Sequence, residues 1–224
     1  MKLSAWRVDW PNHLIGFFSA LFGILIAFEL DEWREAKNNQ EEAHNAFDKI
    51  KQEIQINKGA LHEAVKTNLQ FLELLERELV PHIDDKLEYK GSSKEAIEIN
   101  AKVQAIARIN LTDTLSSSVK SPITINMGSL LHPTLHYSAW ESAKATGVIN
   151  YIEYEKVLTI SYLYNIPRIT DELQEIRTLI RRSDEITSRS GFEKLLIELK
   201  ESHHLIEAEL ANYDIFVNII QDME

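Results

Sequence analysis

Leu14–Phe28, LIGFFSALFGILIAF, is fifteen residues without a charge, near the start of a chain of 224. No other stretch is comparably apolar. Fifteen helical residues rise about 22 Å, short of a hydrocarbon core about 30 Å thick. The flanks extend it. Trp6 and Trp10 precede the run and Trp33 follows it. Trp10 and Trp33 are 23 residues apart, or about 35 Å of helix, which suits two interfacial aromatic anchors. Pro11 is tolerated in a first helical turn, and Glu29 falls where a carboxylate reaches water. The stretch reads as a transmembrane anchor over 11–32, with a tail at 1–10 and a soluble domain at 33–224. The competing reading is a core helix of a soluble protein. A cleaved signal peptide would be followed by a small-x-small site, and none follows.

Basic residues lie on both sides of the run: Lys2 and Arg7 before it, Arg34, Lys37 and Lys49 after it. Basic residues on both sides do not decide the orientation by themselves; the expected arrangement has the N-terminus in the cytoplasm and the C-terminal mass outside.

Downstream, apolar residues recur at spacings of three and four: Trp33, Ala36, Ala43, Phe47, Ile50, Ile54, Leu61, Val65, Leu72, Leu75, Leu79. This amphipathic helical pattern runs to Val80, and no proline interrupts 12–80. The anchor therefore continues outward as one rod, about 100 Å long if unbroken. Gln40, Asn57 and Asn68 fall in the stripe, and Gly59 is a place for a bend. The stripe is either a coiled-coil seam or the core face of a bundle, and the broad apolar face over 61–79 favours a bundle at the distal end.

Pro81 stops the rod, and 81–92 reads as loop. Ser92 with Glu95 makes a capping box for a helix near 93–108. Residues 110–131 are rich in Ser, Thr and Asn and carry Pro122 and Gly128; SPITIN at 121–126 is a candidate short strand in what is otherwise expected to be loop. Helices follow from about Thr134 to Gly147, from Asn150 and Glu153 through Tyr164, from Pro167 to a break at Gly191, and from Phe192 onward through Leu199, His203, Ile206 and Leu210. The fold class is all-α: an N-terminal transmembrane helix continuing into a long helix that packs distally with a helical bundle.

The net charge of −11 belongs wholly to the body, because Lys2, Arg7, Asp9 and Glu29 cancel within 1–30. An acidic body repels nucleic acid and anionic headgroups. With no cysteine, disulfides, thiol catalysis and thiolate metal sites are excluded.

Glu41-x-x-His44 and Glu201-x-x-His204 match the unit that di-iron carboxylate bundles carry on paired helices. An acidic chain with eight His produces such pairs by chance, and Glu201 and His204 lie off the apolar face through Leu199, His203 and Ile206. No metal or other cofactor is expected. His132 and His136 have ligand spacing, but Pro133 sits between them, and His203 reads as a hydrogen-bonded core histidine. No nucleophile elbow or Gly-rich phosphate loop is present, so no enzyme is expected. Tyr137 and Trp140, with Tyr151, Tyr154, Tyr162 and Tyr164, form an aromatic hairpin in which Tyr137, Trp140 and Tyr154 are candidates for a partner or ligand pocket; ordinary core packing is the alternative. Gly16, Ala20, Gly23 and Ala27 line one face of the membrane helix, where small residues let another helix approach.

Two stretches carry a resemblance. Gly23–Glu35, GILIAFELDEWRE, resembles the membrane-exit segment of a family of small, uncharacterised bacterial membrane proteins, a domain of unknown function with an N-terminal transmembrane helix and a helical domain. Ala139–Gly147, AWESAKATG, followed by a Tyr-containing apolar helix, resembles its second recurring element. Together they cover about a tenth of the chain. The family usually has amides near the positions of Glu29 and Asp31, where this chain has acids. The resemblance implies a bacterial single-pass protein and no activity.

These readings converge on a membrane-anchored helical binding or scaffold protein in the bacterial inner membrane, its partners the lipid bilayer and a second copy or another membrane protein. The alternative is a ligand-sensing helical ectodomain that signals through a separate partner.

Overall fold

The computed structural model describes residues 10–222. Apart from Trp10, the tail, with Lys2, Trp6 and Arg7, lies outside them. Helix accounts for 76% of the structure and strand for 7%, so the class is all-α with one small sheet.

Helix α1, Trp10–Glu78, is continuous for 69 residues, and Gly59 does not break it. It ends where Pro81 enters the 3₁₀ turn Val80–His82, because a proline ring cannot donate to the preceding turn. The sequence places the next ten residues in a loop, but Glu88–Gly91 is strand β1. It pairs with β3, Val119–Ile125, which also pairs with β2, Ala107–Ile109, giving an antiparallel sheet in the order β1-β3-β2. The stretch expected to be mostly loop thus supplies the central strand. Tyr89 lies opposite Ser121, wholly buried, its hydroxyl donating to Ser92 O and to the Glu95 carboxylate. A Cβ at position 91 would collide with that hydroxyl, which is why glycine stands there.

Helix α2, Ser93–Val103, has the Ser92 hydroxyl accepting from Glu95 N, but Glu95 turns to Tyr89 rather than closing the capping box, and the helix stops short of 108. Helix α3, Ser138–Thr146, begins four residues later than expected, because 130–137 is held extended on α1. It ends at Gly147, whose φ of 76° is the left-handed cap geometry glycine adopts without strain. A 3₁₀ turn, Val148–Tyr151, takes up Asn150, so α4, Tyr154–Tyr164, starts from Glu153. Helix α5, Pro167–Arg182, opens on its proline. The break expected at Gly191 falls earlier, at the 3₁₀ turn Ser183–Glu185, and Gly191 sits in the first turn of α6, Arg189–Asp222.

Helix α6 runs back along α1, with Lys200 paired to Glu76 at the distal end and Lys58 to Asp214 lower down. Two apolar clusters result. The distal one joins Leu61, Leu72 and Leu79 of α1 to α2, the sheet, α5 and Phe192–Leu210. The proximal one joins Ala43, Phe47, Ile50 and Ile54 to Trp140, Ile160, Leu163, Tyr213 and Val217. The α1 stripe from Ala43 onward is therefore the core face of a bundle, covered by the chain's own later helices, and not a coiled-coil seam. Below Ala43 the helix stands bare: an apolar window in its N-terminal part has none of its residues buried, and it is the one helix among the described residues long and apolar enough to cross a membrane.

Candidate functional site

Where the two clusters meet, α1 presents polar side chains to its own core. Glu53 and Asn57 are 6% and 3% exposed. The Glu53 carboxylate accepts from Ser138 Oγ at 2.9 Å, Ala139 N at 2.8 Å, Trp140 N at 3.4 Å and the Tyr164 hydroxyl at 2.5 Å. Two of these donors are free amides in the first turn of α3, whose own cap residue, Tyr137, offers no side-chain acceptor. A carboxylate from α1 thus caps α3 across 85 residues of sequence, where both the orphan amides and the helix dipole favour negative charge. Burial acts to raise the Glu53 pKa, but the donors outweigh it and the pKa is lowered. Burial and the nearby Glu53 charge push the Tyr164 hydroxyl far above the ordinary phenol range, and burial pushes Tyr213 up to about 12.

Above this, two asparagines pin the extended segment. Asn57 donates to His136 O and accepts from His136 N, both at 2.7 Å. Asn68 does the same to Leu131, at 2.9 Å each way. The spacing fits: eleven helical residues rise about as far as five extended residues span, about 16 Å. The second amide proton of Asn68 points to His203 Nε2 at 2.9 Å, while His203 Nδ1 lies 2.6 Å from Leu199 O. A carbonyl only accepts, so Nδ1 carries the proton and Nε2 receives the Asn68 amide. Burial lowers the His203 pKa and holds the ring neutral. His203 is the core histidine that the sequence indicated.

Of the aromatic candidates, Tyr137 and Trp140 come together, and the third ring is Tyr164. It stacks on Trp140 with centroids 5.6 Å apart and planes 8° from parallel, and meets Tyr137 at 5.7 Å. Tyr154 is elsewhere, 72% exposed at the start of α4. The cavity beside the rings, lined by Asn57, Tyr137, Tyr164 and Tyr213 among others, measures about 20 Å³, space for one water. The junction is a packed lock that fixes the α3–α4 hairpin to α1. Larger grooves are open to solvent: 690 Å³ between α1 and the end of α6, lined by Ile54, Ile56, Val217 and Ile220 with polar neighbours, and 540 Å³ between α1 and α3.

Gly16, Ala20, Gly23 and Ala27 are all exposed, and a Cβ at Gly16 or Gly23 would meet nothing within 4 Å. Ala27 and the buried Phe47 are 20 residues apart, about five and a half turns, so the small-residue face looks away from the body. Trp10 opens α1, and Trp33 is 66% exposed with the Lys37 ammonium 5.9 Å from its ring centroid. His44 and His204 lie on solvent faces beside Asp48 and Glu207. His204 adjoins the residue that touches Asn68, which is 24 residues from His44, about 36 Å along α1, so the two Glu-x-x-His units do not converge.

Glu53 is the residue the sequence hides: it flanks the apolar stripe rather than interrupting it. Asn57 and Asn68 were marked by standing inside the stripe, but the backbone each would hold was not.

No protein family, curated protein or solved structure matches the chain.

Proposed function

We propose that this chain is a single-pass, membrane-anchored helical binding protein: a scaffold or accessory subunit that presents a rigid body at the surface of a bacterial plasma membrane, with the C-terminal domain outside. One observation carries the reading. The apolar part of α1 is wholly bare, while from Ala43 onward one face of the same helix is buried. A helix apolar on every side and packed against nothing is stable in lipid and a liability in water. Its outward small-residue face suits close approach by a second copy or another membrane protein. Catalysis is not part of the proposal.

The test uses single cysteines in a chain that has none of its own. A Cys at Leu115, which is 94% exposed, is expected to react with an impermeant maleimide in intact cells, and a Cys at Ser4 only after the membrane is opened. The reverse pattern inverts the topology, and a freely soluble protein removes the anchor.

The second reading, a ligand-sensing ectodomain, draws on the 690 Å³ groove between α1 and α6, since the aromatic junction has no room. A small molecule that copurifies with the protein and is lost on Val217→Trp would favour it.

A further inference from the structure

Helix α3 descends along α1 toward the bare segment. Its first turn sits at Glu53, and Thr146 and Val148 share a groove with Glu42, Ala46 and Lys49. The turn that follows lies lower still: Tyr151, Ile152 and Glu153 line one cleft with Gln40, Ala43 and Phe47. Among the described residues, the tip of the α3–α4 hairpin is thus the part of the body nearest the apolar run, and it exposes Tyr151 by 54% and Tyr154 by 72%.

We propose that this tip, Gly147–Tyr154, is a lipid-contact surface that rests on the headgroup layer of the bilayer holding α1. The inference rests on the anchor reading above. Height is the first argument. Gln40 is seven residues beyond Trp33, about 10 Å. With Trp33 at the interface, the average span tilt of about 20° toward the hairpin side brings an off-axis tip down onto the headgroups. Chemistry is the second. Tyrosine joins an apolar ring to a polar hydroxyl and is enriched where one end is greasy and the other wet. Charge is the third. Lys144 pairs with Glu141 at 2.7 Å and Lys156 with Glu153 at 3.8 Å, so the hairpin offers aromatic contact suited to zwitterionic headgroups, with no basic patch to draw anionic ones. The tether is the fourth. Because α1 holds the tip over one bilayer, contact is intramolecular and two rings suffice where a free domain would not bind. The effect is to fix the lean of the body on its stalk.

The experiment uses the full chain in phosphatidylcholine vesicles, with bimane on a single Cys at Asn150, the exposed residue just before Tyr151, at Leu115 or at Ile24. Lipid carrying a nitroxide on the headgroup is expected to quench the label at 150 and spare the one at 115. Tyr151→Ser with Tyr154→Ser in the same chain is expected to restore the fluorescence at 150. A label at 150 as bright as that at 115, while Ile24 is quenched by a nitroxide on the acyl chain, overturns the contact and leaves the anchor standing. Quenching at 150 that survives both serine changes shows proximity without contact and overturns it too. If Ile24 escapes the acyl-chain nitroxide, the anchor reading itself fails, and the lipid contact with it.

Discussion

Residues 14–42 and 43–78 belong to one helix, yet no residue of the first region is buried and the second is covered along one face. The difference lies in the distribution of apolar side chains around the axis. In the first region they surround it: Leu14, Ile15, Phe17, Phe18, Phe22, Ile24, Ile26 and Phe28, all at least half exposed, cover more than half of the circumference, and Gly16, Ala20, Gly23 and Ala27 take up the rest. In the second they form a stripe, Ala43, Phe47, Ile50, Ile54, Leu61, with charge and amide on the far side. A stripe can be buried by later helices of the same chain; an apolar cylinder can be satisfied only by an environment that is apolar all round. One continuous helix therefore carries two apolar patterns, and the crossover, 29–42, is rich in acids and amides.

The largest expected effect separates the two regions directly. Ile50 is fully buried, and Ile50→Ala is expected to destabilise the body by about 2–5 kcal/mol, the usual range for a buried Ile truncated to Ala. Phe22→Ala, in the bare region, is expected to leave the denaturant midpoint of the body unmoved. Equal losses would mean that the first region packs on the body after all.

The lock at the seam comes next. Glu53→Gln keeps the shape but turns one acceptor oxygen into a donor facing donors, and is expected to cost about 1–3 kcal/mol at neutral pH. The pH dependence sharpens this. The folded pKa of Glu53 is lowered from 4.5, so its contribution is fully present above that value and fades as pH falls toward and through the lower folded value. Denaturant melts of the two proteins are therefore expected to differ most above pH 4.5 and to converge in acid; a gap independent of pH would show that Glu53 acts by packing alone.

Asn57→Ala frees both backbone groups of His136 and is expected to cost about 1–2 kcal/mol. Amide exchange would read it, accelerating over 130–140 and leaving the distal core protected. Uniform acceleration would show that the extended segment and the core open together.

The smallest effect on stability is expected from Gly23→Leu, since nothing lies within 4 Å of a Cβ there. Its effect is expected instead on assembly. Light scattering in detergent should show a smaller particle than for the unaltered chain, because the added bulk holds helices apart on the small-residue face. An unchanged oligomer would move the contact elsewhere, and a monomer in both would point to a different membrane partner.

What the sequence determined by itself is local. Fifteen uncharged residues define the apolar run. Pro81 ends α1, Gly147 ends α3 and Pro167 opens α5, each through a constraint on its own backbone. The three-and-four spacing marks which face of α1 is buried. Only the tertiary structure decided what covers that face. Below its broad distal face the stripe is compatible with a second copy and with the chain's own return, and α6 settles it for the body by running back along α1. The sheet escaped because β3 is central by virtue of β1 and β2, short strands with no alternation long enough to read. The lock escaped because its partners are 63 to 135 residues apart in sequence: no local window contains both Glu53 and the amides of α3, or both Asn68 and His203. Polar side chains in a core are defined by what they pair with, and pairing exists only once the chain has folded.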